Sequence, residues 1–220
     1  MKKIFVALRH AKKSPDGFID PESMKTLEDY CRKGRFNLNE QLITDVFYGP
    51  IPRSIQCATH ATAALASTGK AHPKLHLHGP IQEIGNSEIF KEIGTPEFMA
   101  ARKCNVNIFV ALEKLHLPEK VKEWEAKVIP GLRMIFSLIQ EDGIGFLPGG
   151  HIPIIPWWVN SCTYPHEMFK NHDMVPLEGL VFRLKNNGEI IVTDILPTPI
   201  TAVPTLEREH SEIHDETPVG

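Results

Sequence analysis

The order of signals along the chain predicts an α/β fold: a three-layer α/β/α sandwich around a mostly parallel central sheet with an antiparallel edge hairpin. Three observations carry this. Short apolar runs alternate with turn signals and helix-length segments, as βα units do. The runs at residues 3–8 and 143–147 lack polar alternation, which suits strands buried on both faces. Asn186-Asn187-Gly188 between two β-type runs marks a tight hairpin.

Taken in order, residues 3–8 are the first strand, ended by Arg9-His10, and residues 43–48 the second, stopped by Gly49-Pro50 and Pro52. Residues 53–67, rich in Ala, Thr, Ile and Leu, read as a helix with Gly69 at its C-terminal cap. Residues 74–78 alternate like a short strand that ends at Gly79-Pro80. Residues 119–140 set Val121, Trp124, Val128, Leu132, Ile135, Phe136 and Ile139 at helical spacing. A strand over 143–147 precedes Pro148-Gly149-Gly150, and residues 180–184 and 189–195 form the arms of the hairpin. The stretch 86–117 breaks the alternation and is expected to be a helical insertion capping the sheet's active edge. One domain over 1–200 is expected, with an exposed tail over 201–220.

The bulk composition removes several classes. The chain has 220 residues, 42% hydrophobic and 23% charged, with a net charge of −3, close to the averages for globular proteins. Such a charge gives no general attraction to nucleic acid or to an anionic membrane. A site for an anion must therefore be a local gathering of cations. The apolar run after Lys2-Lys3 is five residues long, shorter than the roughly seven a secretory core needs, and no stretch approaches the ~18 apolar residues of a membrane span. A cytoplasmic location without nucleic-acid or membrane partners is expected. Cys31, Cys57, Cys104 and Cys162 are widely spaced, so isolated reduced thiols are expected.

Ligands in open α/β sheets sit beyond the carboxyl ends of the strands. Four reactive features fall at such ends. Arg9-His10 follows the first strand, and Arg53 follows the second across a Pro-rich turn. Glu83 comes after the third, and His151 follows the fourth across Pro148-Gly149-Gly150.

Leu8-Arg9-His10-Ala11 resembles the Arg-His signature of the histidine phosphatase superfamily, the phosphoglycerate-mutase-like fold. The run from Tyr48 through Pro52-Arg53-Ser54-Ile55-Gln56-Cys57-Ala58 is similar to that family's second block, which supplies another arginine. Ile81-Gln82-Glu83 resembles the block that supplies the acid. Gly149-Gly150-His151-Ile152-Pro153 resembles the block with the second histidine, and its His-x-Pro form leans towards the phosphohistidine-phosphatase branch, as does Ala11 where relatives carry Gly.

The resemblance implies a nucleophile at His10, an acid at Glu83, and a phosphate cradle of Arg9, Arg53 and His151. The residue types suit that chemistry. A transferring phosphoryl group spreads charge over three oxygens, which guanidinium forks grip well. His10 must stay neutral to attack phosphorus, and neighbouring cations depress its pKa. Glu83 would protonate the leaving oxygen and then take a proton from water; Glu88, five residues on, is the alternative acid. Neither a metal nor a cofactor is expected. The substrate would be a phosphorylated small molecule or a phosphoprotein. The Ala11-Lys12-Lys13-Ser14 run lacks the Asn and Ser/Thr pattern of the glycolytic mutases, which favours hydrolysis over phosphate return. A mutase-like transferase and a non-catalytic phosphate-binding module are the rival readings.

Some residues keep two readings. Lys13 is a solvated loop lysine or a further phosphate contact. The Gly149-Gly150 pair brings amides towards the anion or serves packing. His72, His76 and His78 lie close together but have no nearby acid in sequence, so packing is preferred to a metal site. His166, His172 and Asp173 line a pocket mouth or cover the core. Trp157-Trp158 fill core space or shape the leaving-group pocket.

Overall fold

Strand β1 (Ile4–Arg9) runs through the middle of a six-stranded sheet of order β3-β2-β4-β1-β5-β6. Its sequence accounts for that position. Ile4, Val6 and Leu8 sink into an apolar cluster on one face, while Phe5 and Ala7 sink into another on the opposite face. A strand with a two-residue side-chain period and no polar face has to be covered on both sides.

The computed structural model describes residues 3–16, 18–35, 38, 41–76, 95–97, 100, 118–150, 162–163 and 174–199, with the backbone alone at 118–121 and 123–125. The expected insertion at 86–117 lies almost wholly outside the described residues, and the tail at 201–220 entirely so. Around β1 are α1 (Pro21–Arg32), β2 (Ile43–Phe47), α2 (Pro52–Ala66), β3 (Lys74–His76), α3 (Pro118–Leu138), β4 (Ile144–Gly150), β5 (Gly179–Leu184) and β6 (Ile190–Leu196). Strands β1, β2, β3 and β4 are mutually parallel; β5 runs antiparallel to β1, and β6 antiparallel to β5. The fold is thus the expected α/β sandwich with an antiparallel edge hairpin. Gly188 takes φ +81° in its turn, a conformation that favours glycine.

Helix α1 is a correction, because no element is expected from sequence between the first two strands. Its signals are local. Asp20 caps the helix by accepting from the Ser23 amide at 2.9 Å, and Pro21 occupies the first turn. Met24, Leu27 and Cys31, at near-helical spacing, are its buried face. Together α1 and α2 cover the Ile4/Val6/Leu8 face. On the other side α3 brings Val128, Leu132, Ile135, Phe136 and Ile139 against Phe5, Phe47 and Phe182. Phe5 and Phe47 meet edge to face at 5.9 Å, a geometry worth about 1 kcal/mol beyond area burial. No described helix is long and apolar enough to cross a membrane.

Candidate active site

The carboxyl end of β1 carries the first two candidates side by side. Arg9 is the strand's last residue, still paired with Gly150 of β4, and His10 is the first beyond it. The His10 amide donates to the Gly150 carbonyl at 2.9 Å, so the His10 backbone is fixed by the neighbouring parallel strand. The residue is almost fully buried, with 8% of its surface exposed. Its Nδ1 lies 2.7 Å from the Ala11 carbonyl oxygen. A carbonyl can only accept, so Nδ1 carries the hydrogen and Nε2 of the neutral ring carries the lone pair.

The imidazole is held neutral by its setting. Its pKa is lowered to about 3, chiefly by burial. The bond to Ala11 opposes this, and Arg9, Arg53 and Lys13 then add to the lowering by charge repulsion. From sequence the cations come first; in the folded chain desolvation outweighs them.

Arg9 is held by a turn that is not expected from sequence. Its guanidinium donates to the Met174 carbonyl at 2.7 Å. Its backbone amide donates to Glu178 O at 2.9 Å, and its carbonyl accepts from Leu177 N at 3.2 Å. Leu177 adopts φ 61° to make that turn, an uncommon conformation for a bulky side chain. The signal in sequence is the Pro176-Leu177-Glu178-Gly179 run just before β5.

Arg53 stands in the first turn of α2 and is buried, with 7% exposed. The turn before it is pinned by Ser54, whose hydroxyl accepts from the Gly49 amide at 2.8 Å. Helix α2 starts without a side-chain cap or an acidic residue in its first turn, so no residue of that turn offsets the positive end of its dipole. That end is pressed against β4. A Cβ added at Gly149 would stand 2.7 Å from Ser54 Cα. Gly149 therefore serves the close approach of strand and helix that brings Arg53 towards His10.

The loop after His10 is a small hairpin. Lys13 bridges Ile19, with Asp20 N donating to Lys12 O at 2.8 Å and Ser14 N donating to Phe18 O at 2.9 Å. Asp16 closes the tip by accepting from the Ser14 hydroxyl and, at 3.2 Å, from the Phe18 amide. The Lys12 amide donates to Ser23 Oγ at 2.8 Å, which ties the hairpin to the start of α1.

Arg9, His10 and Arg53 are thus brought to one end of the sheet. Glu83, its alternative Glu88 and His151 lie outside the described residues, as do His78, Cys104, Trp157, Trp158, His166, His172 and Asp173. His76 is engaged elsewhere, on Asp45 of β2. Among the described residues no group of three or more His, Cys, Asp or Glu side chains converges as a metal site would require.

No family model and no curated protein sequence matches the chain. Solved structures do. The protein histidine phosphatase SixA, complexed with tungstate, superposes with a TM-score of 0.50 over 89% of this chain and 96% of its own, at 9% identity. A mycobacterial glucosyl-3-phosphoglycerate phosphatase gives 0.53 over 91% and 100%, at 10% identity. A structure described as mycobacterial hydrolase 1 gives 0.53 over 92% and 100%, also at 10% identity. The chain has the histidine-phosphatase fold. At such identities the likeness is one of backbone path, and the Arg9-His10 pair stands at the end of the central strand of that path.

Proposed function

We propose that the chain is a phosphomonoesterase that works through a phosphohistidine on His10 and needs no metal. The observation that carries this reading is the state of the His10 ring: buried, neutral, with Nδ1–H committed to the Ala11 carbonyl and the lone pair therefore on Nε2. That is the form a nitrogen nucleophile must take to attack phosphorus. Arg9 and Arg53 beside it match the charge of a phosphomonoester dianion.

In the first step Nε2 forms a bond to phosphorus as the ester P–O bond breaks. The departing oxygen takes a proton from Glu83, the acid the resemblance assigns. In the second step water attacks phosphorus, the N–P bond breaks, and Glu83 recovers a proton from the water. Arg9, Arg53 and the assigned His151 hold the equatorial oxygens throughout. That SixA is a protein histidine phosphatase and was obtained with tungstate, a phosphate-like oxyanion, agrees with this reading.

The test is hydrolysis of an aryl phosphate in the presence of a chelator. Turnover inhibited by vanadate, with an acid-labile, alkali-stable phosphoryl label on His10, is the expected result. His10→Ala should cost at least about 10³-fold in kcat. Equal activity in that variant would sink the mechanism. Folded protein that binds phosphate without turnover would point to the binding module, and transfer between positions of phosphoglycerate with little net release would point to a mutase.

A further inference from the structure

Helix α3 lays Val128, Leu132, Ile135, Phe136 and Ile139 on the sheet, so its opposite face is the one expected to be polar. That face instead carries Ala126, Pro130, Met134 and Leu138, four exposed apolar residues at strict four-residue spacing. Met134 and Leu138 leave 46% and 40% of their surface in water. Residues four apart line up as one ridge along a helix. Two polar side chains beside the ridge are engaged away from it. The Ser137 hydroxyl donates to the Met134 carbonyl of its own helix at 2.7 Å, and Arg133 donates to the Gly188 carbonyl of the β5–β6 turn at 3.5 Å. Single exposed apolar residues are ordinary, whereas a continuous row of them marks an interaction surface.

The make-up of the ridge says what covers it. Its amino end is small, with Ala126, and its carboxyl end large, with Leu138. The described charges are sorted in the same direction: Lys122 and Lys127 are exposed near the amino end, and Glu141 and Asp142 just beyond the carboxyl end. A surface graded in this way complements itself when turned through half a circle. A two-fold axis midway along the ridge sets Leu138 of one copy against Ala126 of the other, Met134 against Pro130, and the lysines towards the two acids. Large then meets small, positive meets negative, and the helix dipoles oppose. Ridges of four-residue rows interdigitate in the commonest class of helix packing, and a two-fold contact uses one patch on both copies. We propose that the outer ridge of α3 is the interface of a homodimer in which the two α3 helices pack antiparallel. Four residues of one helix make a narrow contact, so the dimer is weak and forms as protein concentration rises. Nothing in this depends on the phosphatase reading.

The test is sedimentation velocity on the full chain over a concentration series, which should show monomer passing to dimer. Met134→Glu should raise the dissociation constant at least about tenfold with the circular dichroism spectrum unchanged. Leu75→Glu, an equally exposed apolar position on β3, should leave the constant as it was. An oxidised equimolar mixture of Ala126→Cys and Leu138→Cys chains should give a disulfide between the two introduced cysteines, located by peptide mapping, and neither variant alone should give one. A dimer indifferent to Met134→Glu would place the interface elsewhere and overturn the proposal. Disulfides within the single variants, or none in the mixture, would overturn the antiparallel arrangement. A monomer at up to about 1 mM would overturn the dimer itself, and oxidation of Met134 by peroxide would then name the alternative. Oxidation as slow as that of buried Met24 would mean that another segment of the same chain covers the ridge. Faster oxidation would mean a bare surface or a docking face for a different protein.

Discussion

Nε2 of His76 lies 2.7 Å from Oδ1 of Asp45, a carboxylate with no exposed surface. The other oxygen, Oδ2, accepts from the Thr44 hydroxyl at 2.6 Å and from the Gln140 amide at 3.0 Å. One buried acid thus joins β2, β3 and the segment leading into β4, and the His76 ring stacks on Phe47 at 4.8 Å. Removing the acceptor leaves three part-buried donors without their partner, which is the costly way to break such a group. Asp45→Ala should lower stability by about 3 kcal/mol, seen as a drop in urea midpoint at unchanged m. Turnover per folded molecule should hardly change. An unmoved midpoint would contradict the role given to Asp45.

Burial of a neutral His10 makes stability depend on acid. Its pKa is near 6.5 in the unfolded chain and about 3 in the fold. Between those values the unfolded state takes up a proton that the fold refuses, so the fold loses stability as pH drops through that window. The slope is about 1.4 kcal/mol per pH unit for one such group. His10→Gln cannot titrate there. The difference in unfolding free energy between wild type and variant should shift by that slope between pH 6 and pH 4, to the detriment of wild type. A difference independent of pH would mean the ring is not protected from protonation.

Two glycines should separate packing from conformation. At Gly149 an added methyl meets the backbone of α2, 2.7 Å from Ser54 Cα, so either β4 or the helix that carries Arg53 has to move. Gly149→Ala should cost about 1–3 kcal/mol and raise KM for an aryl phosphate several-fold. At Gly188 a methyl would meet nothing within 4 Å, but the residue sits at φ +81°. Gly188→Ala should cost about 1 kcal/mol and leave KM as it was. Matching KM values for the two variants would argue against the part assigned to the Gly149 contact.

The described thiols of the α1/α2 layer should be unreactive. Cys57 is pushed up to about 11, chiefly by burial, and burial also raises Cys31. Thiolates are the reacting species. Peptide mapping after iodoacetamide at pH 8 should find Cys31 and Cys57 unmodified in native protein and fully modified in denaturant. Rapid native labelling of either would show that the α1/α2 layer opens readily.

What the sequence made legible was whatever a local pattern determines. β1 could be read because a strand buried on both faces needs no polar residue. The β5–β6 hairpin could be read because Asn187-Gly188 serves few other purposes. Helix α1 was legible in principle, with Asp20-Pro21 ahead of Met24, Leu27 and Cys31, but its charged surface masks the apolar spacing. The site divided in the same way. Arg9, His10 and Arg53 announce themselves by type at strand ends. The turn that grips Arg9 through Met174, the acid that claims His76 from β2, and the hairpin that pairs Lys13 with Ile19 depend on tertiary contacts. So does the order of causes at His10, because desolvation is a property of the finished core.

The central place of β1 also dictates when the site comes into being. Ile4 pairs with Ile144 on one side and with Arg183 on the other, so β1 has neither neighbour until some 140 and some 180 further residues have been made. Closing such long loops is the slow part of assembling a sheet. Until then an apolar strand and its unpaired edges are open to association with other chains. The chain ought therefore to acquire the surroundings of His10 late and all at once, and variants that slow the docking of β4 or β5 should reduce the yield of soluble protein before they reduce the activity of the molecules that fold.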